Sequence, residues 1–131
     1  MALQSQFSKE RHELIDFDSI KELTSAEAEA VDRLILDELS SDVVLINQIG
    51  HYIVGSGGKR LRPMLLLLSA KALDYTGSSH ITLAAVIEFI HTATLLHDDV
   101  VDDSDLRRGK DSANAVWGNA ASVLVGDYLY S

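Results

Sequence analysis

Apolar residues recur at intervals of three and four positions along most of the chain, which is the spacing of one face of an α-helix. The helices predicted from this pattern cover approximately residues 25–39, 42–54, 63–73, 81–102, 113–118 and 119–131. No stretch alternates apolar and polar positions strongly enough to compete as a β-strand. The pattern therefore predicts an all-α fold, with 1–23 as a polar, loosely docked N-terminal extension and 24–131 as one helical unit.

Local signals predict where several of these helices begin. Thr24 followed three residues later by Glu27 is the capping-box pattern, which predicts the start of the first helix. GSGGKRLRP at 55–63 is a predicted loop, and Pro63 suits the first turn of the next helix. The helix over 81–102 is apolar on nearly its whole circumference, which predicts that other helices surround it.

Composition narrows the classes of function. The chain has 131 residues, no cysteine and a formal net charge of −9, which excludes a disulfide framework and argues against nucleic acid as a partner. The N-terminus has neither the apolar core of a signal peptide nor the acid-poor character of a transit peptide, so we expect a cytoplasmic protein. The apolar stretch 81–96 is too short for a membrane span of about 20 residues. The final helical pattern has no stop signal, so we expect a longer parent protein.

Five aspartates fall within eight residues at the end of the long apolar helix: Asp98, Asp99, Asp102, Asp103 and Asp105. Asp98 and Asp102 are four apart and share one helix face, where like charges repel. A hard divalent cation such as Mg²⁺ would turn that repulsion into attraction. A solvated acidic face is the commoner explanation for an isolated pair. The apolar character of this helix and a phosphate-type motif upstream favour the metal.

Two basic groups could hold phosphates. GGKRLRP at 57–63 combines glycines that admit an anion close to the backbone with basic side chains and a helix N-terminus. Arg107 and Arg108 could clamp a diphosphate or only balance the aspartates. His91 lies about two turns before Asp98 and points to nearly the same side. His97 is interpreted as a packing or orienting residue, and the sequence leaves the role of Asp127 open.

Three motifs in this order resemble the trans-prenyltransferases, also called isoprenyl diphosphate synthases or the polyprenyl synthetase family, and chiefly their long-chain bacterial members. The motifs are GGKRLRP at 57–63, FIHTATLLHDDVVD at 89–102 and DLRRGK at 105–110. The resemblance implies the N-terminal part of an isoprenoid synthase-type helical bundle. It also implies condensation of isopentenyl diphosphate with a farnesyl-type allylic diphosphate. The implied product is a long all-trans polyprenyl diphosphate, octaprenyl-like, of the kind used for ubiquinone side chains.

The resemblance also implies a role for each motif residue. Asp98 and Asp102 would bind Mg²⁺ that bridges the allylic diphosphate, and Asp99 would support them, so that all three are catalytic. Arg107 would contact the allylic diphosphate. The side chains that would hold the diphosphate of isopentenyl diphosphate are those of Lys59, Arg62, His91 and Arg108.

Product length and assembly are further implications of the resemblance. Ala93 and Thr94 would form a tunnel floor, and their small size favours a long product. A second aspartate-rich motif, which the family carries on a later helix, does not occur in these 131 residues. We therefore expect the chain alone to be inactive. The resemblance also implies that the full-length enzyme is a homodimer. The alternatives are a non-catalytic regulatory subunit, a short-chain geranyl or farnesyl synthase, a terpene cyclase, and a helical interaction protein.

Overall fold

A computed structural model of the protein describes residues 15–55, 58–103, 106–107 and 110–131, without the side chains of Arg107 and Lys110. Over these ranges the all-α prediction is confirmed, and the only β-structure described is one two-residue antiparallel pair. The helices are α1 (Phe17–Leu23), α2 (Ser25–Glu38), α3 (Val44–Gly55), α4 (Leu61–Ala72), α5 (Ser79–Val101), α6 (Ala113–Trp117) and α7 (Asn119–Tyr130). Strands β1 (Leu106–Arg107) and β2 (Lys110–Asp111) form the pair, after the end of α5.

The N-terminal region departs from the sequence prediction in two ways. Helix α1 forms within the supposed extension because Asp16 caps it, accepting a hydrogen bond from the Ser19 backbone N–H at 2.8 Å. None of its residues is buried. The predicted capping box is wrong: the Thr24 hydroxyl donates back to the Lys21 carbonyl at 3.4 Å, since Thr24 also closes α1. Glu27 instead pairs with Lys71 of α4, with 2.9 Å between Oε1 and Nζ.

The core lies where α5 packs against α2, α4 and α7. Helix α2 contributes Val31 and Ile35, four residues apart on one stripe, as expected for a helix with a single buried face. Helix α5 contributes small residues, Ala84 and Ala85, which let the neighbouring helices approach closely. The buried apolar residues of the core are Val31, Ile35, Leu39, Ile49, Ile53, Leu67, Ala84, Ala85, Leu96, Ala113 and Val125.

The prediction that α5 is surrounded on all sides is wrong for this chain. Leu83, Val86 and Ile90 are 54%, 41% and 48% exposed, because α2, α4 and α7 cover only the opposite side. Among the described residues, α5 is also the one helix long and apolar enough to cross a membrane. The core helices of soluble proteins pass the same test, and α5 packs against four other helices, α2, α4, α6 and α7.

Candidate active site

The three motif aspartates at the end of α5 differ in how far they are buried. Asp98 and Asp102 are exposed, whereas Asp99 is only 2% exposed. The turn is closed by hydrogen bonds from the Asp102 N–H to the Asp98 carbonyl (2.8 Å) and from the Asp103 N–H to the Val100 carbonyl (3.3 Å). Asp103 then takes a left-handed conformation with φ of 52°, which ends the helix. Two carboxylates one turn apart therefore face outward, and the third faces inward.

The two exposed carboxylates fit a hard divalent cation that completes its shell with other oxygens. The described residues contain no group of three or more acidic or histidine side chains that could enclose a metal ion. Mg²⁺ needs no such cage, because it commonly uses one or two carboxylates together with water and substrate phosphates. Neither Asp98 nor Asp102 forms an ion pair with any basic side chain that the structure describes. A bound cation could therefore offset the repulsion between these two carboxylates.

The structure brings two of the predicted phosphate-binding residues together. Arg62, in the first turn of α4, places Nη1 3.3 Å from Nε2 of His91 on α5. Since a guanidinium can only donate, His91 Nε2 is the acceptor in this contact. Arg62 is exposed and keeps further N–H groups for an anion. His91 precedes Asp98 by seven residues, or about 10 Å along the helix, so a basic site and an acidic site lie two turns apart.

The other basic residues of the glycine loop have different surroundings. Arg60 is left-handed (φ 49°), forms an ion pair with Asp32 of α2, and donates to the carbonyls of Ile53 (3.2 Å) and Val54 (3.1 Å). These carbonyls end α3, where a helix lacks partners of its own. Lys59 is exposed, with Nζ 6.0 Å from the centre of the Phe17 ring. Arg60 is thus a structural residue, and Lys59 remains accessible.

This arrangement of motifs has close counterparts among known proteins. A family model described as polyprenyl synthetase matches residues 43–131. The chain belongs to the polyprenyl synthetase family. It is 61% identical over 117 residues to octaprenyl diphosphate synthase of Escherichia coli (strain K12), which is 89% of this chain and 36% of that protein. The enzyme of the same name from Haemophilus influenzae is 54% identical over 121 residues, 92% of this chain and 37% of that protein.

The fold of this polyprenyl synthetase chain also matches solved structures. The crystal structure of polyprenyl synthase from Caulobacter crescentus CB15, complexed with calcium and isoprenyl diphosphate, superposes with a TM-score of 0.81 at 48% identity. The match covers 88% of this chain and 35% of that one. The chain thus spans just over a third of the length of these relatives. The predicted family and the predicted fold class are both confirmed.

The predicted tunnel-floor residues lie on α5 one turn before the aspartates. Ala93 is fully buried, at 0% exposure, whereas Thr94 is exposed. The Thr94 hydroxyl donates to the Ile90 carbonyl at 2.9 Å, so the Tyr130 hydroxyl, 2.9 Å away, must donate to Thr94. Tyr130 was not singled out from the sequence, because only the packing of α7 on α5 brings it to Thr94.

Asp127 of α7 pairs with His97 of α5. His97 Nε2 lies 3.2 Å from the Val123 carbonyl and 3.4 Å from Asp127 Oδ1. The carbonyl can only accept, so Nε2 carries the proton and can serve both oxygens. A Cβ at Gly126 would lie 2.2 Å from Nε2, so this glycine admits the imidazole. His97 therefore fastens α7 to α5, in agreement with a packing role.

Half of the third motif, residues 105, 108 and 109, lies outside the described part of the chain. Arg108 is not among the described residues, and for Arg107 the structure gives the backbone in β1 without the side chain. Their predicted contacts with diphosphate therefore stay predictions. The structure adds Asn114, a buried residue of α6 whose amide lies against the end of α5. One indication of this residue was present in the sequence, an amide side chain in the otherwise apolar short helix Ala113–Trp117.

Proposed function

We propose that this chain forms the first aspartate site and the isopentenyl diphosphate site of a Mg²⁺-dependent trans-prenyltransferase. The observation that carries the proposal is the placement of two sites on one helix. The exposed carboxylates of Asp98 and Asp102 lie two turns from the Arg62–His91 contact. The identity with octaprenyl diphosphate synthases and the similarity to a synthase bound to calcium and isoprenyl diphosphate support it.

The acidic site would bind the allylic substrate. Asp98 and Asp102 would hold Mg²⁺, which stabilises the negative charge of a departing diphosphate when it is bound. Asp99, buried behind them, would support their orientation. Arg107 would add a guanidinium to the same diphosphate, as the family resemblance implies. These residues would favour breaking the bond between the allylic carbon and its diphosphate oxygen.

The basic site would bind the second substrate. Arg62, His91 and Lys59, with Arg108 by resemblance, would hold the diphosphate of isopentenyl diphosphate through charge-assisted hydrogen bonds. Holding both anions on one side of α5 would present the isopentenyl double bond to the allylic carbon. A carbon–carbon bond would form there, and loss of one proton would restore a double bond. Binding would therefore supply much of the acceleration through positioning.

Several finer features belong to the same proposal. The product would be a long, octaprenyl-like chain for a quinone such as ubiquinone, because the tunnel floor at Ala93 and Thr94 is small and the relatives make octaprenyl diphosphate. We also propose a farnesyl-type primer, a cytoplasmic location and a homodimeric full-length enzyme. The 131 residues alone should lack activity, because the family's second aspartate-rich motif does not occur in them.

Product sizing tests this proposal. The full-length protein is incubated with farnesyl diphosphate, labelled isopentenyl diphosphate and Mg²⁺, alongside its Asp98→Ala variant. We expect a long polyprenyl product that requires Mg²⁺ and disappears in the variant. A geranyl or farnesyl synthase would not elongate farnesyl diphosphate, so a second assay uses a five-carbon allylic diphosphate as primer, and a ten- or fifteen-carbon product there would favour a short-chain synthase. No product with either primer would favour a regulatory subunit that needs a catalytic partner.

A further inference from the structure

A pair of hydroxyl groups joins α5 to α7 one turn before the proposed metal site. Thr94 precedes Asp98 by four residues, so it lies about 6 Å along the helix and about 40° around it. The Thr94 hydroxyl donates to the Ile90 carbonyl, and the Tyr130 hydroxyl donates to Thr94, each at 2.9 Å. Both hydroxyl hydrogens are therefore engaged. The parts of the pair that remain are the methyl group of Thr94 and the ring of Tyr130, which are apolar.

An apolar row continues along α5 beyond this contact. Ile90, Val86 and Leu83 precede Thr94 at successive intervals of four, four and three residues, which places them on one side of the helix. All three are exposed. A hydrocarbon chain whose diphosphate is held by the motif aspartates would extend along this row, because burial of apolar surface is favourable. Such a chain passes the Thr94–Tyr130 contact first.

Tyr130 is held beside this path at two points. Its hydroxyl is bonded to Thr94, and its ring centroid lies 6.0 Å from that of His97, with the two rings tilted by 40°. His97 is itself fixed against α7, since its Nε2 lies 3.2 Å from the Val123 carbonyl. Tyr130 is nevertheless 53% exposed, so its ring is not part of the core of this chain. The phenol is thus placed to form a wall of the path that leads away from the aspartates.

We infer that Tyr130 is a specificity-determining residue, which narrows the path of the growing polyprenyl chain at Thr94 and so limits the length of the product. Each five-carbon addition pushes the chain further along α5, and bulk beside the path raises the free energy of the longer chains. This inference rests on the proposed function, because only an enzyme that elongates a chain can limit its length. The contact between the two hydroxyl groups stands on geometry alone.

Product length in the full-length enzyme tests the inference. Wild type, Tyr130→Ala and Tyr130→Phe are each incubated with farnesyl diphosphate, labelled isopentenyl diphosphate and Mg²⁺, and the products are sized by chromatography. Circular dichroism checks that each variant is folded. Tyr128→Ala is the matched control, because Tyr128 has the same side chain, lies on the same helix and is 45% exposed. It lies about 200° around α7 from Tyr130 and therefore faces away from Thr94.

Tyr130→Ala removes the ring, so its main product should be longer than that of the wild type by at least one five-carbon unit. Tyr130→Phe keeps the ring and loses the bond to Thr94, so a longer product should appear beside the wild-type one. Tyr128→Ala should leave product length unchanged. A purely structural contact between α5 and α7 would change stability without changing the product.

The inference and the proposed function fail in different ways. Wild-type product length in folded Tyr130→Ala would overturn the inference alone, and so would equal lengthening by Tyr128→Ala. If the alanine variant does not fold, an unchanged product from Tyr130→Phe would overturn it. A wild type that makes no product from farnesyl diphosphate or from a five-carbon allylic primer would overturn the proposed function, and the inference with it.

Discussion

Arg60 and Arg62 lie two residues apart in one basic motif, and the structure predicts that replacing them has opposite consequences. Arg60 is 22% exposed and donates to Asp32 and to two carbonyls that end α3. Hydrogen bonds of a charged group contribute roughly 1.5–3 kcal/mol each when buried. Because Asp32 is 37% exposed and water screens part of that bond, we expect Arg60→Met to lower the free energy of unfolding by about 2–3 kcal/mol.

Arg62→Met should leave the free energy of unfolding nearly unchanged and should weaken the binding of substrate. Arg62 is exposed and its one described contact is with His91, so the loss of stability should stay within about 0.5 kcal/mol. If Arg62 binds the diphosphate of isopentenyl diphosphate, losing a charge-assisted hydrogen bond should raise KM roughly 10- to 100-fold. Urea unfolding followed by circular dichroism and steady-state kinetics of the full-length enzyme measure the two effects.

The backbone at Arg60 offers an internal control. Its φ of 49° is left-handed, which costs non-glycine residues roughly 1–2 kcal/mol. Arg60→Gly should therefore destabilise less than Arg60→Ala, although both remove the guanidinium. Equal losses of stability for Arg60→Met and Arg62→Met would refute the division of roles. So would strict additivity between Arg60→Met and Asp32→Asn, since a direct ion pair requires coupling.

Three further predictions concern single residues. The hydrogen bond from Lys71 lowers the pKa of Glu27, so the stabilisation that this pair provides is complete above the unfolded pKa of about 4.3 and is lost as pH falls through the folded pKa. When unfolding is followed during acid titration, the free energy of unfolding of Glu27→Gln should therefore fall less than that of the wild type. An identical fall in the two proteins would contradict the pair. Asp103→Gly should raise the unfolding free energy by up to about 1 kcal/mol by relieving the left-handed backbone, and thermal melting with a lower midpoint would oppose this. Ala93→Phe should shorten the product, and an unchanged chain length on chromatography would remove Ala93 from the tunnel floor.

The site was predictable where it depends on distances along one helix. The four-residue spacing of Asp98 and Asp102 places both carboxylates on one face in any α-helix, and the structure has them there. The contact between Arg62 and His91 could not be obtained in this way, because the two residues are 29 positions apart and meet only when α4 packs on α5. The family resemblance assigned both residues to the diphosphate of isopentenyl diphosphate, and the proximity of Arg62 and His91 supports that assignment.

The errors have a common physical cause. A pattern reports what a residue prefers and not which neighbours the fold supplies. Arg60 was grouped with the other basic residues of 57–63. Its partner Asp32 lies on a different helix, so the sequence pattern could not show the ion pair. Thr24 was expected to cap α2, but it faces the end of α1. The circumference of α5 is apolar as predicted, yet Leu83 and Ile90 are exposed because the chain covers one side only.

The most direct test of the central claim compares two neighbouring aspartates in the full-length enzyme. Asp102→Asn removes a proposed Mg²⁺ ligand, whereas Asp103→Asn changes the adjacent exposed carboxylate and keeps a residue that tolerates the left-handed conformation. The measurement is the rate of Mg²⁺-dependent incorporation of labelled isopentenyl diphosphate. We predict a loss of about 100-fold or more for Asp102→Asn, about 3 kcal/mol of transition-state stabilisation, and a rate near wild type for Asp103→Asn. Equal rates for the two variants would contradict the assignment of the metal site.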